Sequence, residues 1–162
     1  MRYDTHICLL KTIGQAFQDN QEEIPEGPGV VKGQSLKRLA GNAQYPTEKV
    51  MAALASFKPG TLEKLHWHLI EVFYYVISGR AVMRDIEGKA YDIGPGSVIY
   101  APAGIAGSHE WEIKESLQLL SIRATTDLEK NLQFNVDKIT KQSSIEFDYL
   151  MSRGGAKFKS LY

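Results

Sequence analysis

Punctuation limits what this chain can fold into more than any other feature. From Val50 to about Thr125 it runs as short apolar or alternating segments, most of them ended by glycine or proline. "KVMAALASFKPG" stops at Pro59-Gly60, "HWHLIEVFYYVISG" stops at Gly79, and "RAVMRDIEGKAYDI" reads as two strands joined across Glu87-Gly88. "GPGSVIYAPAG" supplies a tight turn, a short β-branched strand and another turn. "SHEWEIKESLQLLSIRA" alternates and then becomes apolar. Short strands spaced about eight to twelve residues apart, with turn residues between them, predict an all-β sandwich or barrel.

The two ends have a different texture. Residues 1–33 read as an arm, with "DNQEEIPEGPGVVKG" as loop and "THICLLKTIGQAF" as either a short strand or a helix. Beyond Asp127 the chain is more polar; "SSIEFDYLMSRGG" fits one short helix and "AKFKSLY" a loose or docked end. A length of 162 residues fits one domain with a substantial core. The expected division is a core over about 50–125, an N-terminal arm over 1–49 and a C-terminal extension over 126–162.

Composition removes several function classes. Hydrophobic residues make up 43% and charged residues 23%, the balance of a globular rather than a disordered chain. Lysine plus arginine equals aspartate plus glutamate at nineteen each, and no basic stripe appears, so no nucleic-acid partner is expected. No apolar run approaches the roughly 20 residues that cross a bilayer, so no membrane partner is expected. The start, "MRYDTHICLLKTIG", has too short an apolar stretch for a secretory signal. Cys8 is the sole cysteine, which rules out an intramolecular disulfide and suits a reducing compartment. A cytoplasmic location is the resulting expectation.

Three of the four histidines stand where strands are expected. Successive side chains of a strand point to opposite faces, so His66 and His68 share a face and Trp67 points away. Two imidazoles on one face can reach one ion at about 2.0–2.1 Å, although the same pair could simply bond to backbone or water. In "GSHEWEIKE", His109, Trp111 and Ile113 alternate with Ser108, Glu110 and Glu112, which puts His109 on the apolar side. Alternation from His68 would send Glu71 to the opposite face, whereas a turn at Leu69-Ile70 would reset the register. The set Glu71, Phe73, Tyr75, Ile77 carries larger residues than Val72, Tyr74, Val76, Ser78, and this places Glu71 at the start of the interior face. Three histidines and a carboxylate suit a divalent transition metal with open positions.

At this point the chain resembles the cupin superfamily over Gly60 to about Trp111. Gly60, His66, His68 and Gly79 match the first cupin motif, and "EVFYYVISG" reads like its strand. Gly96, Pro102 and Gly104 match the second, within "PGSVIYAPAG". Two departures stand out. Glu71 follows His68 after two residues, where the family leaves three or four, so the ordinary position is Val72. Gly107 occupies the expected histidine position and His109 comes two residues late, a shift that keeps the strand face if the loop "GIAG" bulges.

The resemblance implies an antiparallel jelly-roll β-barrel, often a homodimer, that binds a small-molecule substrate in its mouth. It also implies a divalent transition metal (Fe, Mn, Zn or Ni) held by His66, His68, His109 and Glu71. "EVFYYVISGRAVMR" and "PGSVIYAPAG" are similar to the cupin-type phosphoglucose isomerases, which makes sugar or sugar-phosphate isomerisation the preferred activity. In that reading Glu71, if not a ligand, is the catalytic base. Arg84, Arg80 or Lys64 would meet a phosphate, and Tyr75 and Trp111 would line the substrate pocket. The bland alternatives are solvated surface charges and core aromatics. An iron-dependent dioxygenase is a second reading, and a non-catalytic small-ligand binder with an altered metal site is a third.

Overall fold

The computed structural model describes residues 18–127 and 130–152. The segment "THICLLKTIGQAF" and the end "AKFKSLY" lie outside them. Strands β1 (Glu26–Pro28), β2 (Gln34–Ala40), β3 (Met51–Phe57), β4 (Leu62–His68), β5 (Val72–Ser78) and β6 (Ala81–Asp85) come first. They are followed by β7 (Ala90–Ile93), β8 (Val98–Ala101), β9 (His109–Ile113), β10 (Leu117–Arg123), β11 (Gln133–Val136) and β12 (Ser143–Ser144). One short helix, α1 (Phe147–Ser152), falls within the segment where a helix was expected.

Two six-stranded sheets form, ordered β1-β2-β3-β10-β5-β8 and β12-β11-β4-β9-β6-β7, with antiparallel pairing throughout. From β3 to β11 the chain passes back and forth between the sheets, and only the β6–β7 hairpin stays in one. That path is the jelly roll expected from the sequence. Its result is that β3, β5, β8 and β10 face β4, β6 and β9 across a shared interior. Phe57, Val76, Ile93, Trp111, Ile113 and Leu119 belong to one buried cluster there. Complete burial of an aliphatic side chain of this size is worth about 1.5–3 kcal/mol.

The sheets reach beyond residues 50–125. Part of the expected loop is strand: β1 pairs with β2 through Glu26–Lys37, and β2 pairs along β3. At the other end β11 pairs along β4, setting Gln133 beside His68 and Asn135 beside His66. These additions matter because β11 brings polar side chains to the histidines.

Strand β5 reverses the face inferred from residue size. Val72, Tyr74 and Val76 are buried, while Tyr75 and Ile77 are about two-fifths exposed. Pairing decides the outcome: Val72 stands opposite the buried Ala101 of β8, and Val76 opposite the buried Leu119 of β10. The narrow interior takes the smaller residues beside leucine and tryptophan, and the bulkier set covers the outside.

Gly79 turns the chain from β5 into β6 with φ 83°, and a Cβ there would lie 2.0 Å from the Ser116 carbonyl oxygen. Gly60 has φ 80°, yet a Cβ would meet nothing within 4 Å. Only the backbone cost of the left-handed region applies at Gly60, about 1–2 kcal/mol. Gly79→Ala is therefore expected to destabilise by more than ~3 kcal/mol and Gly60→Ala by about 1 kcal/mol in urea unfolding. Equal losses at the two sites would contradict the close approach at Gly79.

Candidate metal centre

Strand β4 carries the first two histidines, and β9 brings the third to them. His66 pairs directly with His109, and both lie almost wholly buried with His68. Ring centroids are 4.4 Å apart for His66 and His109, 5.0 Å for His66 and His68, and 5.6 Å for His68 and His109. One ring nitrogen from each histidine lies within 4.8 Å of the others. Nitrogens that share an ion at about 2.0–2.1 Å stand at most ~4.2 Å apart, so small side-chain adjustments bring the trio into range.

Local backbone aims the rings. His66 Nδ1 is 2.7 Å from the Lys64 carbonyl oxygen, and His109 Nδ1 is 2.7 Å from that of Gly107. A carbonyl can only accept, so each Nδ1 carries the proton and each Nε2 keeps its lone pair. Metal-ligating histidines are oriented in this way. The His109 contact depends on a single-turn 3-10 segment, Ile105–Gly107, that absorbs the two residues by which His109 is late. The Gly104 N–H donates to the His68 carbonyl at 2.8 Å and ties this loop to the end of β4.

Three further polar side chains reach the trio, two of them held by amide side chains. Tyr74 Oη is 3.1 Å from His109 Nε2 and 3.4 Å from His68 Nε2. Glu63 Oε1 is 3.9 Å from His66 Nε2 and accepts from Gln133 Nε2 at 3.4 Å. Arg123 Nη1 is 3.3 Å from His68 Nδ1 and donates to Asn131 Oδ1 at 2.8 Å. Glu63 shares the histidine face because of a bulge. Three steps along β4, from Glu63 to His66, answer two along β9, from Trp111 to His109.

Burial sets the proton affinities. It lowers His66 to about 4, His109 to about 3, and His68 well below the ordinary imidazole range. It raises the Glu63 carboxyl and the Tyr74 phenol above their ordinary values. The positive charge of Arg123 adds to the histidine shifts and opposes the other two. At neutral pH the three imidazoles are uncharged bases.

Not every residue expected at the site arrives there. His66, His68 and His109 do, with Trp111 edge-on to His109 at 6.2 Å and to Tyr74 at 5.5 Å. Glu71 does not: the chain bends at Leu69-Ile70, but Val72 takes the inward position, and exposed Glu71 accepts from Tyr100 Oη at 2.7 Å. Tyr75 lies on the outer face. Arg84 also faces outward, 2.9 Å from Glu112 and 3.5 Å from Glu110, which alternate with the inward His109 and Trp111. Lys64 and Arg80 are exposed. Glu63, Tyr74 and Arg123 are the members that sequence reasoning did not single out. Alternation from Val72 to Tyr74, and along Leu117, Leu119, Ser121 to Arg123, was a usable signal for two of them. The bulge behind Glu63 has no sequence mark.

Residues 53–123 match the cupin domain family. The barrel is similar to the cupins. The chain is 27% identical over 125 residues to the oxalate decarboxylase OxdC of Bacillus subtilis, covering 75% of this chain and 31% of that protein. It therefore spans about a third of that curated relative. Among solved structures, the polyketide cyclase RemF from Streptomyces resistomycificus superposes with a TM-score of 0.61 at 16% identity, over 68% of this chain and 80% of that one. A sugar phosphate isomerase of the cupin superfamily from Silicibacter pomeroyi gives 0.55 at 23%, over 66% and 74%. These two likenesses are of fold, and proteins with such different names share it. Among the described residues no helix is long and apolar enough to cross a membrane.

The depressed histidines make a stability prediction for chelated, metal-free protein. Unfolded imidazoles take up protons near pH 6.5, whereas folded His66 and His109 wait until about 4 and about 3. Between those values the unfolded chain binds more protons, so acidification destabilises the fold. The raised Glu63 acts in the opposite sense, as one group against three. Tm should hold above pH 7 and fall by at least ~5 °C between pH 6.5 and 4.5, with a shallower slope in His109→Gln. A Tm that stays level across that window would contradict the neutral, buried trio.

Proposed function

We propose that this cupin-like protein is a metal-dependent enzyme of small-molecule metabolism, in which His66, His68 and His109 hold one divalent transition ion. The observation that carries the reading is the convergence of three neutral, buried imidazoles, two of them with Nδ1 already committed to a backbone carbonyl. When bound, such an ion polarises a carbonyl or gathers adjacent substrate oxygens. The preferred reaction is isomerisation of a sugar or related hydroxy-carbonyl compound, by proton transfer between neighbouring carbons. Glu63 is the carboxyl placed to move that proton, in the role first assigned to Glu71. Tyr74 Oη is a hydroxyl donor beside the substrate oxygen, and Trp111 keeps the inner wall dry. A named sugar phosphate isomerase among the structural neighbours supports this choice. The absence of a carboxylate at Val72 favours a second reading, an iron-dependent dioxygenase with a three-histidine set.

Metal analysis of protein purified without a histidine tag tests the common premise. About one equivalent of iron, manganese, zinc or nickel is expected, and loss of it in His66→Ala and His68→Ala. A wild type that stays empty after incubation with each of these ions would leave a metal-free ligand-binding barrel. The reactions separate by isotope and atmosphere. An isomerase incorporates solvent deuterium into a sugar panel under argon, whereas a dioxygenase consumes oxygen only with iron and air. With a turnover assay in hand, Glu63→Gln should lower the rate by about 100-fold or more, with Glu71→Gln near wild type. The reverse order would restore Glu71 as the proton-transfer group.

A further inference from the structure

Arg123 sits where a metal centre has no structural use for a cation. Ligating imidazoles are normally backed by acceptors, a carbonyl or a carboxylate, as His66 and His109 are here. His68 has a backbone partner too, at Leu132, but a guanidinium also stands 3.3 Å from its Nδ1, and a positive charge there weakens an imidazole as a base. The residue lies on the inward face of β10, following Leu117, Leu119 and Ser121, and pairs with Val72 at the end of β5.

Its bonding is incomplete. A guanidinium carries five N–H donors, yet both contacts of Arg123, to Asn131 Oδ1 and His68 Nδ1, use Nη1. No carboxylate is within 4.0 Å of it among the described residues. Half-buried, the cation touches only neutral partners, and the Glu63 carboxyl of the same site acts on it from beyond ion-pair distance. A second, independent observation points the same way. Ser121 Oγ, two residues earlier on the same face and in register with Tyr74, is buried with no hydrogen-bond partner among the described residues.

We propose that Arg123 is the anion-recognition residue of the histidine centre, and that the substrate carries a carboxylate or phosphate next to the oxygen it presents to His66, His68 and His109. Asn131 fixes Nη1, which leaves Nη2 and Nε as the fork for an oxyanion, and Ser121 Oγ is a nearby donor. The phosphate-binding role once assigned to Arg84 moves inside the barrel. This inference rests on the metal-dependent reading above and adds the substrate class to it.

Calorimetric titration with glycolate, inorganic phosphate and neutral glycolamide tests it, on zinc-loaded and on chelated protein. Wild type should bind one of the two anions, and the tighter one tells a carboxylate from a phosphate substrate. Arg123→Gln should weaken that anion at least ~10-fold, leaving glycolamide affinity and zinc content unchanged. Arg123→Lys should recover part of the loss, and circular-dichroism melting of both variants separates recognition from misfolding. Equal anion affinity in wild type and Arg123→Gln would overturn the assignment. So would failure of wild type to bind either anion, or an equal loss for glycolamide. Zinc uptake is read separately. A wild type that takes up no zinc refutes the metal reading, while titration of the chelated protein still decides the role of Arg123.

Discussion

Two hydrogen bonds of 2.7 Å, each from an imidazole to the carbonyl two residues before it, hold the interior of this barrel together chemically. Burial alone would leave three bases disordered in their tautomers and indifferent in direction. The bonds from His66 and His109 fix which nitrogen carries the proton and send the other nitrogen inward. Because His66 and His109 also face each other in the β4–β9 ladder, the same backbone pairing that closes the sheet aligns both rings. The fold's register and the site's geometry are thus one constraint.

That constraint is reinforced by irregularity. The bulge in β4 turns Glu63 inward, and the 3-10 segment before β9 re-aims His109. Each device interrupts an ideal pattern to bring a polar group into a space that hydrophobic packing would otherwise claim. The interior consequently has two zones: an apolar one around Val76, Leu119 and Ile113, and a polar one of histidines, Glu63, Tyr74 and Arg123. Strands β5, β9 and β10 pass through both, which lets a rigid wall support side chains of high electrostatic cost.

Most of the architecture was legible from turn spacing, and His66, His68 and His109 from alternation alone. The faces of β5 were not. Both sets of side chains are apolar, so size was the remaining cue, and pairing with Ala101 and Leu119 overrode it. Glu71 was misplaced for the same reason, since a bend at Leu69-Ile70 does not say which of the next two residues points inward. Glu63 was hidden because a bulge depends on the partner strand. Alternation along β10 could have turned Arg123 inward, but the contacts of Asn131 and Gln133, on and just before β11, are what show that this end opens onto the site.

Gly107 limits where the third histidine can stand. It stands where cupin spacing places a histidine, and any Cβ there would come within 1.9 Å of the Pro102 carbonyl oxygen. A single substitution cannot return the imidazole to its usual place in this loop. Ligand position and loop length are thus coupled: moving the third histidine means rebuilding the turn that carries it.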